Sequence, residues 1–160
     1  MIVVSDTSPI RALEHLEQLH LLHMLFKEVL IPPAVVDELE RPTSKLHPLA
    51  LSGHSFIVVR QPVRTALLDR LRQEVDRGEA EAIALAVEVK AGTIPIDESA
   101  GRAVAAREGI TTMGAIGVLL RAKSAGLIPA LRPLVERLEA ELNFFMSATL
   151  RANALKSAGE

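Results

Sequence analysis

The 160-residue chain contains no cysteine, no tryptophan and no tyrosine, and it has four phenylalanines. Without cysteine there is no disulfide, no thiol nucleophile and no thiolate metal site. Because aromatic side chains are so scarce, a nucleic-acid surface that stacks several bases in succession is not expected.

A large excess of either charge is also missing. The chain has 18 Lys and Arg against 20 Asp and Glu, a formal net charge of -2, so no global basic surface marks it as a binder of nucleic acid or membrane. A local basic patch would still suffice for nucleic acid. No apolar run is long enough to span a bilayer, and the start "MIVVSDTSP" does not look like a signal peptide. We therefore expect a cytoplasmic protein that does not bind membranes.

What is present is enough apolar sequence for a core. Hydrophobic residues make up 49% of the chain, which excludes a disordered protein. Short apolar runs typical of buried parallel strands alternate with amphipathic helical segments, which predicts an α/β fold. We expect an α/β/α sandwich with a short, mostly parallel central sheet. Residues 1–160 would form one domain, with a helical tail from about residue 144. The predicted strands are "IVVS", "EVLI", "FIVV", "TIPI" and the shorter "ITT".

Several local signals predict where helices begin and where the chain loops. Ser8 followed by Pro9 is typical of a helix cap and first helical position. Pro32 and Pro33 would start the helix "AVVDELER", and the long segment "IRALEHLEQLHLLHMLF" would be a helix broken once. The stretch "PTSKLHPLALSGH" is loop-like.

Two aspartates follow predicted strands. In open parallel sheets, ligand sites form at the carboxyl ends of strands. Asp6 follows the first strand. Because Ser8 would already cap the helix, Asp6 has no evident structural role, which favours a functional one. Asp97 follows "TIPI" and could instead cap the next helix. The repetition favours a pair of carboxylates along one edge of the sheet.

Two glutamates open the apolar helix predicted from about Gly78 to Ala91. A helical wheel places Glu79 on the inward side with Ile83 and Ala86, although a favourable position at the helix N-terminus would also explain it. The wheel places Glu81 on the solvated side, with Arg77 four residues earlier as a possible ion-pair partner. The first glutamate is therefore a candidate ligand and the second a bystander.

The helix "AVVDELER" leaves another choice open. Its apolar side is formed by Val35, Val36 and Leu39, and Glu38 and Glu40 flank that side in opposite directions. The wheel does not choose between the two glutamates.

These features resemble the PIN-domain family of metal-dependent nucleases, which includes the VapC-type toxins of toxin–antitoxin pairs. The resemblance is closest to an uncharacterised, toxin-like branch. It implies that Asp6, Glu38, Glu79 and Asp97 are the catalytic and metal-binding acids, with Thr7 and Ser8 in the position of a hydroxyl residue that often follows the first Asp. The segments that carry it, in the family's order, are "VVSDTSP", "VLIPPAVVDELE", "GEAEAIALA", "IDESAGRAVA" and "GAIGVLLRAKSAGLI".

The sequence departs from the family's pattern at two positions. The third acid is often Asp in VapC-type toxins but is Glu79 here, which adds one methylene of reach. Ala115, in "GAIG", stands where related sequences often have a hydroxyl residue.

The resemblance implies hydrolysis of RNA assisted by Mg²⁺ or Mn²⁺. Converging carboxylates would raise one another's pKa, and a hard divalent cation relieves that repulsion. Asp6 and Asp97 would be the principal ligands, with Glu38 and Glu79 bound directly or through water. None of the five histidines has metal-ligand spacing, and those on the first helices are expected at the surface or partly packed. Possible phosphate contacts, each of which could equally be a solvated helix charge, are Arg11, Arg102, Arg121 and Lys123.

Two other interpretations stay open. The chain could be a PIN-fold module with a weak or silent metal site that acts through protein or RNA binding. A phosphatase or receiver-like protein also places Asp at strand ends, but "SDTSP" lacks the second Asp that such folds need. Resemblance to toxins further implies a small antitoxin partner and a homodimer.

Overall fold

The computed structural model describes residues 1–41 and 48–160, in which short parallel strands alternate with helices as the sequence predicts. The first strand pairs with the second and the second with the third, all parallel, and the last two strands form a separate parallel pair. The strands are β1 (Ile2–Val4), β2 (Glu28–Ile31), β3 (Ile57–Val59), β4 (Thr93–Pro95) and β5 (Thr111–Met113).

The two groups of strands meet where β1 lies beside β4. Just past the end of β1, the Ser5 N–H donates to Leu30 O of β2 at 3.0 Å, and the Asp6 N–H donates to Pro95 O of β4 at 3.1 Å. The strands therefore lie in the order β3-β2-β1-β4-β5, and the carboxyl ends of β1 and β4 meet at the centre.

The helices agree with the predicted segments. The long N-terminal segment breaks once because Glu17 takes a left-handed conformation (φ 58°). The loop-like stretch beginning at residue 42 lies partly outside the described residues. A 3₁₀ turn covers Leu51–Gly53, and the helices are α1 (Thr7–His15), α2 (His20–Leu25), α3 (Pro33–Glu40), α4 (Ala66–Glu74), α5 (Arg77–Glu88), α6 (Ser99–Arg107), α7 (Ala115–Ser124), α8 (Arg132–Leu142) and α9 (Ala148–Ser157).

The prediction that Ser8 caps the first helix is wrong. Helix α1 already begins at Thr7, and Asp6 occupies the cap position without a side-chain cap hydrogen bond. Pro9 is tolerated inside the first turn because the N–H groups there have no helical acceptor anyway. The Ser8 hydroxyl instead donates to Glu98 Oε1 at 2.9 Å.

The core lies on both faces of the sheet, and strand alternation assigns residues to each face. Val3 joins one cluster with residues of α1, α2 and α7, while Val4 joins a second cluster with residues of α4, α5 and α6. The predicted C-terminal helix α9 buries Ala154 and Leu155 in the first cluster. These layers confirm the α/β/α sandwich. Among the described helices, none combines the length and the apolar character needed to cross a bilayer.

Helix α5 lies in the second cluster and is buried on all sides from Gly78 to Ala86. The expectation that Glu81 faces solvent is therefore wrong, because this side chain is 3% exposed. Its Oε2 accepts from the Ala34 N–H in the first turn of α3 at 3.0 Å. The expected ion pair with Arg77 does form, at 3.4 Å, and Arg72 adds a second at 3.5 Å. The helical wheel failed because it does not show that α3 and α4 cover this side of α5.

Replacing Glu81 tests its structural role. Glu81→Ala leaves the buried Ala34 N–H without an acceptor, so we expect the free energy of unfolding to fall by about 1–3 kcal/mol in denaturant titrations. The exposed Glu14 of α1 provides the matched control, because Glu14→Ala should change stability by less than about 0.5 kcal/mol. Equal effects of the two substitutions would contradict this role.

Candidate active site

The site begins at the point where β1 and β4 lie side by side. From β1 the chain continues through β2 and β3 toward one edge of the sheet, and from β4 it continues to β5 at the other edge. A crevice forms outside the carboxyl ends of the strands at such a switch point. Asp6 follows β1 and Asp97 lies two residues beyond β4. The structure therefore places the two strand-end aspartates at the same edge, as the repetition in the sequence predicted.

Asp6 is almost fully enclosed, with 3% of its surface exposed. Burial raises the pKa of its carboxyl from 3.8 to about 8. The backbone N–H of Thr7 opposes the rise in pKa, and the negative charges of Glu79, Asp76 and Glu38 add to it. Asp6 thus lies among other acids.

Asp97 is held by the helix that follows β5. Its Oδ1 accepts from the Ala115 N–H at the start of α7 at 2.9 Å. Asp97 does not cap α6, which was one of the two roles that its local sequence left open, because Glu98 occupies that cap position. Its Oδ2 is buried and has no hydrogen-bond partner among the described residues. Burial raises the pKa of Asp97 to about 6, with Glu98 raising it further and Arg102 lowering it.

Glu38 is the glutamate of α3 that reaches this edge. Its Oε2 accepts from the Thr7 hydroxyl, whereas Glu40 is exposed. The Arg11 side chain donates to the backbone carbonyls of Glu38 and Arg41, which ties the last turn of α3 to α1. The helical wheel could not choose between Glu38 and Glu40, and the one that lies at this edge is Glu38, the residue that the family resemblance indicated.

Glu79 combines a capping role at the start of α5 with a position on the inward side of the helix. Its backbone N–H donates to Asp76 Oδ1 at 2.8 Å while its own Oε2 accepts from the Asp76 N–H at 3.3 Å, a capping box at the start of α5. The side chain is also buried beside the other acids. Burial raises its pKa to about 7, and Asp76, Glu98 and Glu38 contribute further.

Glycines allow three of these carboxylates to touch neighbouring helices. A Cβ added at Gly78 would lie 2.6 Å from Glu38 Oε1, and one at Gly101 would lie 2.9 Å from Glu79 Oε1. At Gly114, before α7, an added Cβ would lie 2.6 Å from Asp97 Oδ1. The carboxylates thus occupy the space that any larger residue would fill.

Sequence reasoning missed two acids at this edge, Asp76 and Glu98. The charge of Asp76 raises the pKa values of Asp6 and Glu79. The charge of Glu98, which accepts a hydrogen bond from the Ser8 hydroxyl, raises the pKa values of Glu79 and Asp97. Each residue stands at the cap position before a helix. A residue at such a position is ordinarily assigned to the helix start, so neither of them has a separate signal in the sequence.

Among the expected phosphate contacts, Arg102 lies beside Asp97, and its Nε donates to Thr112 Oγ1 at 3.3 Å. The other three make structural contacts: Arg11 with α3, Arg121 over the Phe26 ring, and Lys123 with a backbone carbonyl.

The histidines of the first two helices are at the surface or partly packed, as expected. His15 contacts Glu141 at 2.7 Å, and the His23 ring stacks on Phe56.

The acids suit a hard divalent cation chemically, although their present geometry is not that of a formed site. Within residues 1–41 and 48–160, no three His, Asp or Glu side chains converge closely enough to hold a metal ion. Glu38, Glu79 and Asp97 each accept a hydrogen bond from the protein instead. The unpartnered Asp97 oxygen and the raised pKa values of Asp6 and Asp97 are what a cation would relieve.

A sequence model of the PIN domain matches residues 2–160, nearly the full length of the chain. The chain belongs to the PIN-domain family. PIN domains are generally nucleases and typically use divalent metal ions. The strand order and the flanking helices agree with that fold. Comparison with curated proteins gave no match.

The buried acids make the stability of this PIN domain depend on pH. The pKa of Asp6 rises from 3.8 to about 8 on folding, so between these values the folded state binds more protons than the unfolded chain. The free energy of unfolding should therefore decrease as the pH rises through this window. In EDTA we expect Tm to fall between about pH 5 and about pH 8.5, and Asp6→Asn to flatten that dependence.

The exposed Asp69 of α4 supplies the control for this experiment, because Asp69→Asn should keep the wild-type slope of Tm against pH. An identical slope in the Asp6→Asn variant would show that Asp6 is not held protonated.

Replacing Gly101 tests the contact between α6 and Glu79. The added methyl of Gly101→Ala would lie 2.9 Å from Glu79 Oε1 and 2.6 Å from the Ile96 side chain, so we expect a loss of about 1–3 kcal/mol in unfolding free energy. Gly92→Ala is the matched control, since nothing lies within 4 Å of an added Cβ there. If both variants unfold at the same denaturant concentration, the contact carries no constraint.

Proposed function

We propose that this PIN domain is a divalent-metal-dependent endoribonuclease that hydrolyses phosphodiester bonds in RNA. One observation carries the proposal. Asp6 and Asp97 follow neighbouring strands at the switch point of the sheet, and Asp97 has a buried oxygen with no hydrogen-bond partner in the part of the chain that the structure describes. Carboxylates enclosed together repel one another when they are ionised, and a bound divalent cation relieves that repulsion, so the arrangement supports a metal site.

Four acids would hold Mg²⁺ or Mn²⁺. Asp6 and Asp97 are the principal ligands, and Glu38 and Glu79 bind directly or through water. When bound, the cation lowers the pKa of a water molecule and offsets charge that develops on the phosphate.

Other residues of the chain hold these acids in position. The Thr7 hydroxyl fixes the orientation of the Glu38 carboxylate, and the Ala115 N–H fixes that of Asp97. Arg102, which is exposed beside Asp97, would bind a phosphate oxygen of the substrate. Ser8 acts indirectly, through its bond to Glu98.

The biological role we propose is that of the toxin in a cytoplasmic toxin–antitoxin pair. Its support is the ordered set of motifs that resembles VapC-type toxins. That resemblance also supports a small antitoxin protein as partner and a homodimer as the assembly. Growth arrest on expression of the chain, relieved by co-expression of a small neighbouring open reading frame, would test this role.

A PIN-fold module with a weak metal site, acting through protein or RNA binding, is the competing function. It is favoured by the hydrogen bonds that hold Glu38, Glu79 and Asp97 apart from a common centre. Isothermal titration with millimolar Mn²⁺ separates the two. Heat of binding that disappears in Asp6→Asn supports the nuclease, and no heat in the wild-type protein supports the module.

Activity is tested directly with two charge-removing substitutions. Asp6→Asn and Asp97→Asn should each lower Mg²⁺-dependent cleavage of single-stranded RNA at least about 100-fold, because each removes a principal ligand. Asp69→Asn removes a carboxylate from the exposed face of α4 and should leave cleavage unchanged. Intact cleavage in both site variants would overturn the proposed mechanism.

A further inference from the structure

A cavity of about 560 Å³ opens directly beside the acidic edge. Asp97 and Arg102 line part of its wall, and residues of the C-terminal segment, including Phe145, Leu150 and Asn153, line another part. Its size falls in the range of small-molecule sites, and like them it combines apolar walls with a few polar groups. Neither the acids nor the proposed metal chemistry account for this space.

The rim of the cavity exposes apolar surface. Phe145 is 90% exposed and Leu150 is 50% exposed. Phe145 does not belong to a frayed end, because the chain is fixed on both sides of it. The Phe144 N–H donates to Leu138 O at 3.1 Å, and the Ser147 side chain caps α9. An aromatic ring held in solvent at the mouth of a cavity is a platform on which a flat ligand can stack.

The cavity adjoins the acidic edge, and this position indicates what kind of ligand fits it. A molecule in this cavity would lie between the Phe145 ring and Arg102, and it would reach Asp97 at the same time. A flat ring at one end and a phosphate at the other are the two parts of a nucleotide. The side-chain amide of Asn153 can both donate and accept hydrogen bonds, which suits the edge of a base.

We propose that this cavity is a subsite for one unpaired nucleotide of the RNA, next to the phosphate that is cleaved. The base stacks on Phe145, Asn153 contacts its edge, and Arg102 binds the adjoining phosphate. The proposal rests on the proposed nuclease function for the identity of the full substrate. A single aromatic platform also agrees with a chain too poor in aromatic residues to stack several bases.

The binding experiment uses uncharged probes, so that neither metal nor cleavage is needed. The full chain, labelled with ¹⁵N, is titrated with each of the four ribonucleosides and followed by NMR. We expect shifts at the amides that line the cavity. Phe145→Ala should weaken binding at least about fivefold, and Phe145→Leu should do the same because it keeps apolar bulk but removes the ring. Met24→Ala removes another exposed apolar side chain, from α2, and should bind as the wild type does.

The cleavage experiment separates positioning from chemistry. With a short single-stranded RNA, Phe145→Ala should raise KM at least about fivefold and leave kcat within about twofold. Asn153→Ala should change the base preferred at one position beside the cut.

Failure of the subsite and failure of the nuclease give different results. Metal-dependent cleavage by a chain that binds no nucleoside, with KM unchanged in Phe145→Ala, overturns the subsite and leaves the nuclease standing. Nucleoside binding that depends on Phe145 in a chain that cleaves no RNA supports the subsite and overturns the nuclease. If Phe145→Ala instead dissociates a dimer in sedimentation experiments and leaves nucleoside binding unchanged, the surface is an interface between copies and the subsite is wrong.

Discussion

Direct contact between carboxylates and helix backbone is the constraint on which the acidic edge depends. Gly78, Gly101 and Gly114 each leave the space of one methyl group, and a carboxylate fills it. Helices α5, α6 and the start of α7 can therefore lie directly against the carboxylates of Glu38, Glu79 and Asp97 respectively. Larger residues at these positions would move the helices outward and admit water, which would lower the pKa values that burial now raises.

The two glutamates of α5 show that a buried carboxylate in the core and one at the acidic edge have different surroundings. Glu81 is buried with a backbone donor and two arginines around it, so its carboxylate is balanced and ties α3 and α4 to α5. Glu79, two residues earlier, is buried among other acids. Acids whose pKa values are raised by burial beside other acids are typical of functional sites.

Much of the fold could be predicted from the periodicity of apolar residues and from the residues that start or break helices and strands. Strand runs, helix breaks and the two strand-end aspartates were predicted correctly because each depends on local pattern. Glu81 was misplaced because a wheel describes one helix and cannot show which neighbours cover it. Glu98 was missed for a related reason, since its position before α6 is also that of an ordinary cap. Ala115 looked like the loss of a hydroxyl, yet its backbone N–H reaches Asp97, a contact that no side-chain pattern can reveal.

The contacts of Asp6 and Asp97 span long stretches of the chain, and this has a consequence for synthesis on the ribosome. Asp6 is among the first residues made, but its N–H bonds to Pro95 O, and Asp97 is oriented by the Ala115 N–H. Helix α7, which provides that N–H, in turn packs against α9 near the end of the sequence. Because contacts so distant in sequence form late, the acidic edge is assembled only when most of the chain has emerged. The activity that we propose for this edge would therefore be absent until synthesis of the chain is nearly complete.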